Sequence, residues 1–173
     1  MPFAITLLLD DEAAARITRL TDALDRAGLA GPGARNGGPP HVTLGVYPDT
    51  AAVDALHATV TILGQSWRPL PVGFASLGVF PGTPGVLFAA PVVTSALLVR
   101  HAQLLARHRT EGHFASGAWA PHVTLLQDLE GSDAAARALA VAAAAWGPFT
   151  ATLDRVALFR FPPAAVLEVV RLA

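Results

Sequence analysis

The pentapeptide Pro-His-Val-Thr-Leu at residues 40–44 recurs unchanged at residues 121–125, 81 positions later (122 minus 41). Its β-branched and aliphatic residues are typical of a strand, in which alternate side chains share a face. His41 and Thr43 therefore point one way and the apolar side chains between them the other, and the same holds for His122 and Thr124. Because the apolar faces are buried, we expect the two His–Thr pairs to meet across a shared cleft.

The segments around the two motifs predict the order β-α-β-α-β-β-α-β-α-β-β. Strands are expected at residues 3–9, 41–47, 68–80, 86–90, 122–127, 149–161 and 166–172. The acidic residues 10–12 are expected to form the first turn of the first helix, and the other helices to start at Asp49 or Thr50, at Thr94 or Ser95, and at Ser132 or Asp133. The glycine- and proline-rich residues 28–40 predict a loop. Residues 1–173 are interpreted as a single α+β domain of two pseudo-symmetric lobes, each contributing one His-x-Thr strand.

The composition excludes several classes of chemistry. The chain has no cysteine, so disulfides and thiolate nucleophiles are excluded. It also has no lysine, since its twelve basic residues are all arginine, and this excludes lysyl–nucleotide and Schiff-base intermediates. The net charge of −1 argues against extended duplex binding but allows a local pocket for a nucleotide or an RNA end.

Neither a targeting segment nor an association motif is visible. Residues 1–5 lack the basic start of a signal peptide, and no apolar run reaches the roughly 18 residues that cross a bilayer. We therefore expect a cytoplasmic protein with no membrane partner. No heptad pattern is present, so a monomer is expected.

Two histidines facing each other suit the hydrolysis of a phosphodiester. In an in-line displacement, one group takes a proton from water and another supplies a proton to the leaving oxygen on the opposite side of phosphorus. Histidine, with an ordinary pKa of about 6.5, can do either near neutral pH. The hydroxyls of Thr43 and Thr124 can donate to the non-bridging oxygens. His41 and His122 are thus the candidate acid–base pair, and no metal or other cofactor is required.

The two His-Val-Thr-Leu motifs resemble those of the two-histidine (2H) phosphoesterase superfamily. Residues 77–82 (Leu-Gly-Val-Phe-Pro-Gly) and 156–160 (Val-Ala-Leu-Phe-Arg) strengthen the likeness to its branch of 2′-5′ RNA ligases and RNA 2′,3′-cyclic phosphodiesterases. The resemblance implies two antiparallel sheets related by a pseudo-twofold axis, with outer helices and a central cleft. It implies metal-independent opening of 2′,3′-cyclic phosphates on small nucleotides or RNA ends, with 2′-5′ ligation as the reverse reaction. Which histidine is the acid and which is the base stays open.

Further substrate contacts are hypothesised at Arg35, Tyr47, Phe80 and Trp119, with Arg109 the other arginine near a motif. Packing at a strand entrance is the alternative interpretation of Trp119, and structural packing is likewise the alternative for Tyr47 and Phe80. Two other functions remain open: a non-catalytic module that binds nucleotides or RNA ends in the same cleft, and a metal hydrolase using both histidines with Asp128.

Overall fold

The computed structural model describes residues 1–29, 38–110, 112–162 and 164–173. In these residues the strands are β1 Phe3–Leu9, β2 His41–Tyr47, β3 Leu70–Phe80, β4 Gly85–Pro91, β5 Val123–Leu129, β6 Phe149–Arg160 and β7 Ala165–Arg171. The helices are α1 Asp11–Arg26, α2 Val53–Ser66, α3 Ser95–Arg107 and α4 Gly131–Ala145, with a short 3-10 turn at Gly112–Phe114. The predicted order of strands and helices is confirmed.

All pairings between neighbouring strands are antiparallel, so the predicted α+β class is confirmed. The strands are hydrogen-bonded in the order β2-β1-β6-β3-β4-β5, and β7 pairs with β6. The two expected sheets are joined into one because the start of β6 pairs with β3 and the rest of it pairs with β1. The division into two pseudo-symmetric lobes stays a prediction.

Two helices begin at a side chain that caps the first turn, and the other two begin at residues other than those predicted. Asp10 caps α1 by accepting from the Ala13 amide at 2.9 Å, and Thr94 caps α3. The prediction that Asp49 or Thr50 caps α2 is wrong, since the helix begins at Val53. The Asp49 carboxylate instead accepts a hydrogen bond from the amino group of Met1 at 3.0 Å. α4 likewise begins at Gly131, before the predicted Ser132 or Asp133.

The sheet has a core face and a cleft face. The odd-numbered side chains of β1 belong to the main core, together with the apolar sides of α1 and α2. The even-numbered Ala4 and Leu8 form a second, smaller cluster with Ala157 and Phe159 of β6. This cluster lies on the face of β1 that continues into the cleft. None of the helices within the described residues is long and apolar enough to span a membrane.

Candidate active site

The two His–Thr pairs line one cavity of about 290 Å³. Their strands, β2 and β5, are the two ends of the pairing order and nevertheless contact each other. The sheet therefore curves until its ends meet, which brings His41 and Thr43 to the same space as His122 and Thr124. The apolar residues between and after them, Val42, Leu44, Val123 and Leu125, are at most 2% exposed. The alternation read from the motif thus places these side chains as expected.

Each motif contains a β-bulge at its leucine. The pairing of β2 with β1 skips Leu44, and the pairing of β5 with β4 skips Leu125. An extra residue reverses the alternation of side chains beyond it. After the first bulge, Val46 lines the cavity while Tyr47 points into the core. The bulges therefore limit the cavity-facing part of each motif to its histidine and threonine.

The two imidazoles are oriented in the same way. Nδ1 of His41 lies 2.7 Å from the carbonyl oxygen of Pro39, and Nδ1 of His122 lies 2.8 Å from that of Ala120. A carbonyl oxygen can only accept, so Nδ1 must carry the hydrogen in both rings. The neutral tautomer is therefore fixed, and Nε2 is left as the nitrogen that can take up or release a proton. In both motifs the residue between this carbonyl and the histidine is proline, whose ring fixes its φ angle.

Phenylalanine rings hold both histidines from the side. His41 meets Phe159 and His122 meets Phe80, each edge-to-face with ring centroids 4.9 Å apart and planes at 81°. His122 has a second aromatic neighbour, Phe88, at 5.4 Å. The two imidazoles thus have matching anchors but unequal surroundings.

Burial lowers the pKa of both histidines below the ordinary value of 6.5, because a charged imidazolium is poorly solvated there. The bond from each ring to a backbone carbonyl opposes this effect. The charge of His122 further lowers the pKa of His41. Protonation of His41 is therefore disfavoured while His122 carries its proton.

The rest of the cavity wall is apolar. Besides the four motif side chains it is formed by Ala4, Val46, Phe114, Phe159, Phe161 and Ala164. No arginine, aspartate or glutamate is among the described residues that line it. A protonated histidine is therefore the positive charge that this wall can offer to an anion.

Tyr47, a hypothesised substrate contact, lies in the core and is not among the residues that line the cavity. Its side chain is 4% exposed, and its hydroxyl has no hydrogen-bond partner in the described part of the chain. Unbroken alternation from His41 would place Tyr47 on the cleft face, and the bulge at Leu44 reverses this. Phe80 does reach the site, since it contacts the His122 ring, although it is not among the residues that line the cavity.

Trp119 and Arg109 lie at a separate groove beside α3 rather than at the cavity. The Trp119 ring stacks on His101, with centroids 4.0 Å apart, and its Nε1 donates to the Thr43 carbonyl at 2.9 Å. These contacts agree with the packing interpretation of Trp119 and place it outside the cavity that the His–Thr pairs line, and its contact with substrate stays a prediction. The hypothesised contact at Arg35 lies outside the described residues.

Sequence reasoning missed three aromatic residues of the wall, Phe114, Phe159 and Phe161. Phe159 and Phe161 alternate at the end of β6, a signal that could have been read from the sequence. Phe114 lies in an irregular connection, where no periodicity points to the cavity.

The metal-hydrolase alternative lacks a ligand set in the described residues. No group of three or more His, Asp or Glu side chains is arranged there to hold a metal ion. Asp128, the carboxylate assigned to that alternative, has an exposed side chain and is not among the residues that line the cavity.

Comparison with known proteins gives a consistent family assignment. The family model described as the 2′-5′ RNA ligase superfamily matches residues 9–163, most of the chain. No curated protein matches the chain in sequence.

Solved structures with low sequence identity share the fold over nearly the whole chain. TT0787 of Thermus thermophilus is 20% identical, with a TM-score of 0.68 over 99% of this chain and 98% of that one. E. coli LigT in complex with 3′-AMP is 18% identical, with a TM-score of 0.60 over 100% and 99%. Usb1 of Kluyveromyces marxianus is 13% identical, with a TM-score of 0.55 over 99% and 98%.

Proposed function

The chain belongs to the 2′-5′ RNA ligase superfamily, the two-histidine phosphoesterases, and from that membership we propose that it opens 2′,3′-cyclic phosphates with His41 and His122 as its acid–base pair. The family supports a phosphoesterase activity. The cyclic phosphate substrate, the roles of the histidines and the absence of a metal requirement are proposed.

The observation that carries the proposal is the matched anchoring of the two imidazoles on one cavity. Each Nδ1–H donates to a backbone carbonyl, so each Nε2 is available for proton transfer. A phosphate between the two rings would have a base on one side and an acid on the other, as an in-line displacement needs. Thr43 and Thr124 line the same cavity and supply hydroxyl donors for the non-bridging oxygens.

The unequal surroundings of the rings suggest which histidine is the acid. An imidazolium is attracted to aromatic faces, and His122 contacts two phenylalanine rings while His41 contacts one. The charge of His122 also lowers the pKa of His41. We therefore assign the proton to His122, as the general acid, and leave neutral His41 as the base that activates water.

The substrate is proposed to be a small nucleotide or an RNA end rather than an extended duplex. A cavity of about 290 Å³ accommodates one terminal group, and its described wall lacks the arginines that a chain of phosphates would require. The complex of E. coli LigT with 3′-AMP supports a nucleotide-sized ligand. Reverse ligation through a 2′-5′ linkage is part of the proposal, because the same acid–base pair can run in both directions.

The test is a screen of the purified protein against the four nucleoside 2′,3′-cyclic phosphates and a cyclic-phosphate RNA end, with and without EDTA. We expect EDTA-insensitive turnover, with NMR locating the phosphate on the 2′ oxygen. His41→Ala and His122→Ala should each lose at least about a hundredfold, as expected for general acid–base groups. Full activity in either variant would contradict the proposal. Tight binding of a nucleoside 2′-phosphate without turnover would instead favour the binding module.

The acid–base assignment has its own test. A nitrophenyl phosphodiester has a leaving group that departs without protonation, so it bypasses the general acid. His122→Ala should recover much of its rate on this ester, whereas His41→Ala should remain slow. The opposite pattern would reverse the assignment while leaving the reaction class intact.

A further inference from the structure

Thr6 is a fully buried hydroxyl beneath the cavity. It lies on β1 between Ala4, which lines the cavity, and Leu8, which packs in the cluster below it. Alternate residues of a strand share a face, so Thr6 faces the same side. Its side chain is 0% exposed, and Oγ1 has no hydrogen-bond partner among the described residues.

The cross-strand neighbour of Thr6 on β2 is Thr43, and on β6 it is Ala157. Side chains directly opposite each other on antiparallel strands have Cβ atoms about 4.5–5.5 Å apart, and Thr–Thr pairs at such positions form hydrogen bonds. Since Ala157 offers no polar side-chain atom, Thr43 is the hydroxyl within cross-strand reach of Thr6. Thr43 also lines the cavity.

The equivalent position beside the second motif is filled differently. Phe88 is the cross-strand neighbour of Thr124, and Gly78 lies beyond it. A Cβ atom on Gly78 would overlap the Phe88 ring, so that ring occupies the space over the glycine. The second half of the sheet thus packs an aromatic ring where the first half buries a hydroxyl.

A buried hydroxyl without a partner is costly, and valine has nearly the same shape without that cost. We propose that Thr6 is a positioning residue that donates its hydroxyl hydrogen to Oγ1 of Thr43 when Thr43 donates to a phosphate oxygen. This inference rests on the proposed function, in which Thr43 is a phosphate ligand.

The physical basis is the capacity of a hydroxyl to donate one hydrogen bond while accepting others. When the Thr43 hydrogen points at phosphate, its oxygen can accept from Thr6, and hydrogen bonds in such a chain strengthen one another. The bond also holds Thr43 in a single rotamer. Among the described residues, Phe88 rather than a hydroxyl is the cross-strand neighbour of Thr124, so the two threonines contribute unequally.

The experiment is a double-mutant cycle on kcat/KM for a 2′,3′-cyclic nucleotide, using Thr6→Val, Thr43→Val and the double variant. We expect Thr6→Val to lose about tenfold, equivalent to about 1.4 kcal/mol of transition-state stabilisation. In the Thr43→Val background the same change should have no further effect. Thr6→Ser should restore activity to within about twofold, since it returns the donor. The melting temperature of Thr6→Val should not fall.

The matched control is the cycle of Thr6→Val with Thr124→Val, whose effects should multiply because Thr124 is not a cross-strand neighbour of Thr6. Unchanged kcat/KM in Thr6→Val, or an equal loss in the Thr43→Val background, would overturn the inference. If Thr6→Val fails to fold, Thr6→Ala and Thr6→Ser provide the same comparison. Full activity in His41→Ala would contradict the proposed function itself. Loss of activity in His41→Ala, together with unchanged activity in Thr6→Val, would contradict only the role of Thr6.

Discussion

Replacing Trp119 by phenylalanine tests how the strand that carries Thr43 is held beneath the cavity. The indole Nε1 donates to the Thr43 carbonyl at 2.9 Å, while the ring stacks on His101 with planes only 11° apart. Phenylalanine keeps an aromatic face for the stack but removes the donor. The substitution therefore removes a hydrogen bond to the backbone of Thr43, whose side chain lines the cavity.

The expected size follows from the lost bond. A carbonyl left without its partner in a partly buried position costs about 1–3 kcal/mol, so we expect the free energy of unfolding to fall by about 1–2 kcal/mol. Displacement of the Thr43 hydroxyl should also raise the free energy of the transition state, because a small misplacement of a positioning group slows the reaction strongly. A loss of about 1.4 kcal/mol there corresponds to about tenfold in kcat/KM.

Trp67→Phe is the matched control. Its indole donates to the Gln103 side chain at 2.7 Å and is 6% exposed, and Trp67 is not among the residues that line the cavity. Urea denaturation and initial rates on a 2′,3′-cyclic nucleotide would be measured for both variants. We expect both to lose stability and only Trp119→Phe to lose activity. Equal losses of kcat/KM in the two variants, or full activity in Trp119→Phe despite lower stability, would refute the reasoning.

Two further predictions follow from the buried polar groups. The proposed mechanism requires one proton on the His41–His122 pair, and both pKa values lie below 6.5, so the kcat/KM profile should be a bell centred below pH 6.5. Its upper limb falls as His122 loses the catalytic proton, and an optimum clearly above pH 7 in a pH-rate series would contradict the lowered values. Tyr47→Phe removes a buried hydroxyl that has no partner in the described structure, so thermal denaturation should show equal or higher stability. Its kcat/KM should be unchanged, and a large loss would support the hypothesis that Tyr47 contacts substrate.

Much of the fold could be predicted from the sequence because its signals are local. The alternation in residues 41–44 assigned His41 and Thr43 to one face, and the second motif repeated the assignment. The cap at Thr94 could be predicted because a capping side chain bonds an amide only three residues away. The cap predicted at Asp49 failed because its partner, the amino group of Met1, is 48 residues away.

The features that shape the cavity depend on pairing between distant segments. The bulges at Leu44 and Leu125 arise from the register against β1 and β4, and they decide that Val46 rather than Tyr47 reaches the cavity. Phe159 reaches the His41 ring from a strand more than a hundred residues away. Nothing in the local sequence encodes such registers, since they result from packing the whole sheet.

The doubled Pro-His-Val-Thr-Leu by itself determined that two imidazoles and two hydroxyls would share a polar face, because strand alternation is a property of consecutive residues. The tertiary structure alone decided that the two strands meet and that the rings have unequal aromatic neighbours. The motif thus identifies the reactive groups. The meeting of the two His–Thr pairs and the difference between their surroundings come from contacts between residues that are far apart in the chain.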